Sequence, residues 1–201
     1  MGRVSRTAGR PRGFDRQQAL EQALRLFWRH GYEATPISTL VETIGVKPPS
    51  LYAAFGDKRA LFSAAVRHYQ QTYGAFTERA LAEEPTAHAA LRRLLFDAAA
   101  DYADPSHPPG CMIITAATNC TPAADDVRAE LRALREATKT AFREKISADI
   151  DAGRLPADTD ADGLASFYAA TVQGMSVQAC DGADRSELKR IAEHALAAWP
   201  R

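Results

Sequence analysis

The stretch Ile37-Ser38-Thr39-Leu40-Val41-Glu42-Thr43-Ile44-Gly45-Val46-Lys47-Pro48-Pro49-Ser50-Leu51-Tyr52-Ala53-Ala54-Phe55-Gly56-Asp57-Lys58 decides how this chain is read. Ile37, Leu40, Val41 and Ile44 recur at helical spacing and Ser38 is a competent N-terminal residue, which predicts a first short helix from about Ser38 to Ile44. Gly45 stops that helix, and a brief turn containing glycine lets two helices meet at a steep angle. Pro49 restarts the chain, because proline is tolerated in the first helical turn, so a second helix is predicted over Pro49–Phe55. Leu51 and Phe55, four apart, anchor this second helix to a core, while Ser50, Tyr52, Ala53 and Ala54 project elsewhere. That outward face is a candidate surface for reading DNA.

Charge supports this placement. The chain has 201 residues and no net charge, yet residues 1–60 hold ten Lys/Arg against five Asp/Glu and residues 61–201 hold fifteen against twenty. A basic module on an acidic body concentrates attraction for phosphate at one end. An apolar content of 46% is enough for a proper core. No run of 18 apolar residues suggests a membrane span and no charged-then-apolar start resembles a signal peptide, so the cytosol is the default location.

The upstream helix is predicted over Arg16–His30, with Asp15 and Gln18 making a capping-box-like start and Leu20, Ala23, Leu24 and Phe27 facing inward. Asp57 is a predicted cap for a long helix from Lys58 to about Leu81, carrying Leu61, Phe62, Ala65, Tyr69 and Phe76. Lys58 at that helix start is well placed for a phosphate.

Leu51-Tyr52 followed by Phe55, Lys58 and Leu61-Phe62 behind the Gly45-Val46 turn, with Ala23, Leu26-Phe27, Gly31-Tyr32 and Ala34-Thr35 upstream, resembles the N-terminal module of the TetR/AcrR family of bacterial transcriptional regulators. The resemblance covers roughly residues 14–70. It implies an all-α fold, with an N-terminal three-helix helix-turn-helix domain and a C-terminal helical bundle for dimerisation and ligand binding. The corresponding division is a flexible basic arm over 1–12, a DNA-binding domain over 13–73, and an effector-binding and dimerisation domain over 74–201. It also implies a sequence-specific regulator, expected to be a repressor on a near-palindromic operator, and not an enzyme. Its partners would be double-stranded DNA, a small-molecule effector and a second copy of the chain, paired through the last two helices.

On this basis the DNA contacts are assigned to Ser50 and Pro49 on bases, Tyr52 and Lys58 on phosphates, with Ser38 and Lys47 beside them. Ala53 and Ala54 carry no hydrogen-bonding groups, so Lys47 is the candidate for the missing polar reach. Arg10 and Arg12, in the Gly9-Arg10-Pro11-Arg12 run, either enter an adjacent minor groove or form a basic tail with no defined site.

Beyond residue 81 a helix is predicted over 86–103, then a loop Asp104–Gly110, then a buried helix from Cys111 to Cys120. Thr121-Pro122 is a predicted cap for a long helix whose stripe runs Val127, Leu131, Leu134, Thr138, Phe142, Ile146 and Ile150. Gly153 and Pro156 end it, and two more helices follow over about Asp160–Cys180 and Ser186–Trp199. The stripes of the last two suit a four-helix dimer interface, and intrachain packing would produce the same pattern.

Thr115, Asn119, Tyr168 and Thr171 are polar groups in otherwise apolar helices, and with Met112 and Met175 they are the candidates for an effector pocket. Buried Thr and Asn can equally bond the helix backbone. Cys111, at a predicted helix start, is a candidate thiol sensor with a lowered pKa; an inert buried thiol is the other reading. Cys111, Cys120 and Cys180 lack metal or redox spacing, and if the first two share a helix they lie roughly 13 Å apart along it, too far for a disulfide.

No cofactor or metal is implied: the five histidines are scattered without metal-ligand spacing. A Gly-x-Ser-x-Gly elbow and a phosphate-cradling glycine loop are both missing, which weighs against the competing reading of a helical-bundle enzyme. The other competitor is an all-α ligand-binding or thiol-based sensor protein without specific DNA binding.

Overall fold

Asp15 sets the first helix, its Oδ1 accepting the backbone N–H groups of Gln17 at 2.9 Å and Gln18 at 3.1 Å. The computed structural model describes residues 15–118 and 120–200. Among the described residues all regular structure is helical: α1 (Arg16–His30), α2 (Ile37–Ile44), α3 (Pro48–Phe55), α4 (Lys58–Gln71), α5 (Ala75–Glu83), α6 (Ala87–Asp101), α7 (Met112–Thr115), α8 (Asp125–Asp151), α9 (Ala161–Cys180) and α10 (Arg185–Ala197). Asp57, Thr86, Asp160 and Asp184 cap α4, α6, α9 and α10 in the same way as Asp15. Each such cap contributes about 1 kcal/mol.

The α1 stripe Leu20, Ala23, Leu24 and Phe27 is buried, and α1 lies along α4, whose Leu61, Phe62, Ala65 and Tyr69 are buried opposite. Phe27 meets Phe62 edge-to-face at 5.1 Å. This pair of helices is the platform on which α2 and α3 sit, held by the buried side chains of Leu40, Leu51 and Phe55.

The structure departs from the sequence expectations at four places. Ser38 does not cap α2; the helix begins at Ile37 behind an extended Pro36. The helix expected to run to Leu81 breaks after Gln71, and α5 starts at Ala75. Gly74 donates its N–H to the Tyr69 carbonyl at 2.8 Å, and a Cβ there would come within 2.8 Å of the Tyr69 ring, so the tight reversal depends on glycine.

The stretch after Cys111 forms only one helical turn, so Cys111 and Cys120 share no helix. Thr121 caps nothing with its side chain; a 3-10 turn Pro122–Ala124 precedes α8, and the Thr121 hydroxyl instead meets the Glu33 carboxylate at 2.5 Å. An ionised carboxylate is a stronger acceptor than the competition a cap offers.

In the body, α8 packs on α9, α6 packs on α5 and α10, and α10 packs on α9. One polar lock ties α8 to α6: buried Asp149 accepts the Ala87 N–H at 2.7 Å and the Arg154 guanidinium at 2.7 Å. Among the described residues no helix is long and apolar enough to cross a membrane.

Candidate functional site

The turn between α2 and α3 is built on Gly45, at φ 73° and ψ 34°, whose N–H and that of Val46 both reach the Val41 carbonyl. A side chain would be strained in that left-handed conformation. Because Leu51 and Phe55 point into the platform, Pro49, Ser50, Tyr52 and Ala53 are exposed on the opposite side of α3. Lys47 is the N-cap residue and is exposed, as is Ser38 on α2. Ser38, Lys47, Pro49, Ser50 and Tyr52 are therefore all on solvent-facing positions of one two-helix module. Arg10 and Arg12 lie outside the described residues.

The start of α3 has an unexpected chemistry. Pro48 and Pro49 have no N–H, and the Ser50 and Leu51 N–H groups are used by the Lys47 carbonyl at 3.0 and 3.3 Å. Helix N-termini commonly hold phosphate through free backbone N–H groups. The first turn of α3 lacks such groups, so what this end presents to solvent is its exposed side chains, Lys47 among them.

Lys58 opens α4 behind the Asp57 cap, with its Nζ 4.4 Å from the Tyr32 ring centroid and 3.5 Å from the Glu33 carbonyl. Burial draws its pKa down, opposed by Glu33. It is half-buried against an aromatic face rather than freely extended. Arg16, which the sequence reading did not single out, reaches the end of α3: its Nε donates to the Ala54 carbonyl at 3.3 Å and its guanidinium lies 4.7 Å from the Phe55 ring centroid.

A cavity of about 610 Å3 opens among α4, α5, α7, α8 and α9. Its walls include Tyr69, Phe76, Tyr102 and Phe142, with Cys111, Thr138, Gln173 and Arg135 as polar groups. None of the described residues predicted for an effector pocket borders it. Met112 and Met175 are fully buried core. Thr115 and Thr171 bond the carbonyls of Cys111 and Phe167, the backbone alternative that the sequence left open. Tyr168 donates to the Ala195 carbonyl at 3.1 Å, its phenol pushed up to about 12 by burial. Asn119 lies outside the described residues.

The thiol that does border the cavity is Cys111, and of its two sequence readings the direction of its pKa goes with the buried thiol and not with a lowered pKa. Burial pushes the thiol up, and the neighbouring Tyr69 and Tyr102 hydroxyls and backbone N–H groups only temper the rise. The single turn of α7 is too short to supply the positive helix end that the expectation needed. Tyr69 Oη is buried and makes no well-formed hydrogen bond. The missed lining residues had one sequence signal: Arg135 interrupts the Leu131–Leu134–Thr138–Phe142 stripe of α8 with a charge.

The two sites are joined by polar contacts. The Tyr32 N–H donates to the Ala116 carbonyl at 2.9 Å, just after the cavity-lining Ile113 and Ile114. Arg59 on α4 pairs with Asp126 and with Glu130 at 2.6 Å on α8, and Ser63 donates to Glu130 at 3.0 Å. Arg25 on α1 reaches the Ser106 carbonyl at 2.7 Å.

Residues 19–65 match the family model "Bacterial regulatory proteins, tetR family", and residues 87–195 match "Tetracyclin repressor-like, C-terminal domain". The chain belongs to the TetR family. Among TetR-family relatives, the HTH-type transcriptional repressor ComR of Escherichia coli K12 is 35% identical over 198 residues, 98% of this chain and 94% of ComR. The repressor BdcR of the same organism is 33% identical over 134 residues, 67% of this chain and 68% of BdcR. A cysteine mutant of the TetR family regulator CifR, solved with 26-bp double-strand operator DNA, is 41% identical with a TM-score of 0.90, over 96% of this chain and 100% of that one. As a TetR-family member this protein is a DNA-binding transcriptional regulator, and the α2–α3 module is its helix-turn-helix.

Proposed function

We propose that this protein is a repressor that binds a near-palindromic operator as a homodimer and leaves it when a small molecule fills the cavity. The observation that carries the reading is the sharing of one segment by two sites: residues 111–116 wall the cavity at Cys111, Ile113 and Ile114 and hold the helix-turn-helix module at Ala116. A ligand that displaces this segment changes the seating of α1, and hence of α3. The operator-bound state of CifR supports DNA as the partner of this likeness.

Ser50 and Pro49 face bases in this reading, with Ser38 and Lys47 beside them, while Tyr52 and Lys58 contact phosphate and Arg10 and Arg12 extend the contact from the N-terminal arm. Dimerisation uses α9 and α10. On α9, Phe167, Ala170, Gly174 and Val177 are exposed at spacings of three and four, and nothing lies within 4 Å of a Cβ built on Gly174. An apolar stripe with small residues at its centre lets a second helix approach closely. Two α3 helices then reach successive major grooves, roughly 34 Å apart.

Selection of genomic fragments bound by the purified protein tests the reading. Recovered sequences should share inverted half-sites about one helical turn apart, and a charged residue at Val177 should abolish their recovery. Fragments without a common element, recovered equally by the charged variant, would refute it.

A further inference from the structure

Among the described residues the half-buried guanidinium groups of Arg25, Arg59 and Arg93 are paired with acids, Glu21, Glu130 and Glu83 in turn. Arg135 is the exception in the cavity wall. Its Nη1 donates to the Ile113 carbonyl at 2.7 Å, and no carboxylate among the described residues lies within ion-pairing distance. Its neighbour Glu136 is engaged by Lys139 at 2.7 Å.

A guanidinium carries five N–H donors in a planar fork, so one carbonyl leaves most of them unused. Burial lowers the Arg135 pKa, the mark of a cation that has lost water without gaining a counter-ion. Lys145, half-buried, borders the same space, whereas the cavity's carboxylates, Glu78 and Glu144, are exposed. The remaining wall is largely apolar, with the rings of Phe76, Tyr102 and Phe142. Its volume falls within the roughly 300–1,000 Å3 of small-molecule sites.

We propose that the cavity binds a monocarboxylate with a flat apolar body, the carboxylate forked on Arg135 and the body lying against Phe76, Tyr102 and Phe142. This ligand class rests on the effector reading of the cavity. Carboxylate and guanidinium match in a two-bond fork, and such charge-assisted pairs are stronger in a site withdrawn from water. The anion takes N–H groups that the Ile113 carbonyl leaves free, so occupancy loads the same guanidinium that holds the Ile113 segment, which continues to the Ala116 carbonyl bonded by Tyr32.

Calorimetric titration of the full-length protein with benzoate, phenylacetate and 3-phenylpropanoate, each beside its primary amide, tests the class. At least one acid should bind roughly 10- to 100-fold more tightly than its amide. Arg135→Gln should erase that preference while Arg135→Lys retains part of it, and melting curves check that both variants are folded. The acid-against-amide comparison on the unaltered protein stands even if a variant does not fold. Equal binding of acid and amide, or no binding of any acid at millimolar concentration, overturns the proposal. Operator binding measured in the same samples separates the two readings. Amides that release operator as well as acids sink the carboxylate class alone; acids that bind tightly without weakening operator affinity sustain it and sink the effector reading.

Discussion

The Tyr32 N–H donates to the Ala116 carbonyl at 2.9 Å, and Gly31 beside it, at φ 79°, leaves room for an added Cβ only 3.0 Å from that oxygen. The Tyr32 ring in turn lies beneath the Lys58 ammonium. This backbone bond is one link between the segment that walls the cavity and the residues that open α4. Gly31→Ala should cost about 1–3 kcal/mol, because the left-handed conformation strains an L side chain and the methyl pushes on Ala116. Urea unfolding checks the loss, and operator titration with and without effector should show a weakened response where the fold is retained.

Lys58→Ala should weaken binding to all sequences alike and reduce the slope of log affinity against log salt by about one. Ser50→Ala should instead change preference at one base pair. Gel-shift titration over a set of single-base operator variants distinguishes them; equal loss across the set for both substitutions would undo the assignment.

Asp101 gives the junction a pH signature. Burial raises its pKa to about 6, opposed by His107, whose Nε2 lies 3.5 Å from Oδ1 and whose ring stacks on Trp28 at 4.7 Å. The unfolded carboxyl ionises near 3.8, so between that pH and about 6 the folded state holds the extra proton. Its contribution is therefore full below the unfolded value and is lost as pH rises through the folded one. Asp101→Asn should match the unaltered protein near pH 4 and exceed it by about 2 kcal/mol at pH 7, read from urea midpoints across that range.

Asp149→Ala removes the acceptor of the Ala87 N–H and the partner of Arg154 in a buried position. The expected loss is about 2–4 kcal/mol. For a chain of this size that lowers the melting temperature by roughly 5–15 °C. Operator affinity measured well below the transition should not change.

The helix-turn-helix was legible because each of its constraints is local. Gly45, the Pro48-Pro49 pair and the Leu51–Phe55 spacing each fix a turn, a start or a face without reference to distant residues. The α4–α5 break was not legible, since Tyr69 and Phe76 keep an apolar pattern across it and only the closeness of Gly74 to the Tyr69 ring reveals the reversal. The cavity was missed for a related reason. A threonine or tyrosine in an apolar helix satisfies itself on a nearby carbonyl, as Thr115, Thr171 and Tyr168 do, whereas a cavity wall is assembled from helices far apart in sequence. The burial of Cys111 was legible from the apolar run that follows it, and that burial raises its pKa in line with the inert-thiol reading.

Competition binding of a genome-selected operator against a base-shuffled fragment of equal length, at two salt concentrations and with complex mass measured in the same solution, bears most directly on the central claim. Two protomers should occupy each operator, with an affinity at least about a thousandfold above the shuffled fragment and falling steeply with salt. A monomer on DNA, or equal affinity for operator and shuffled sequence, would contradict the account.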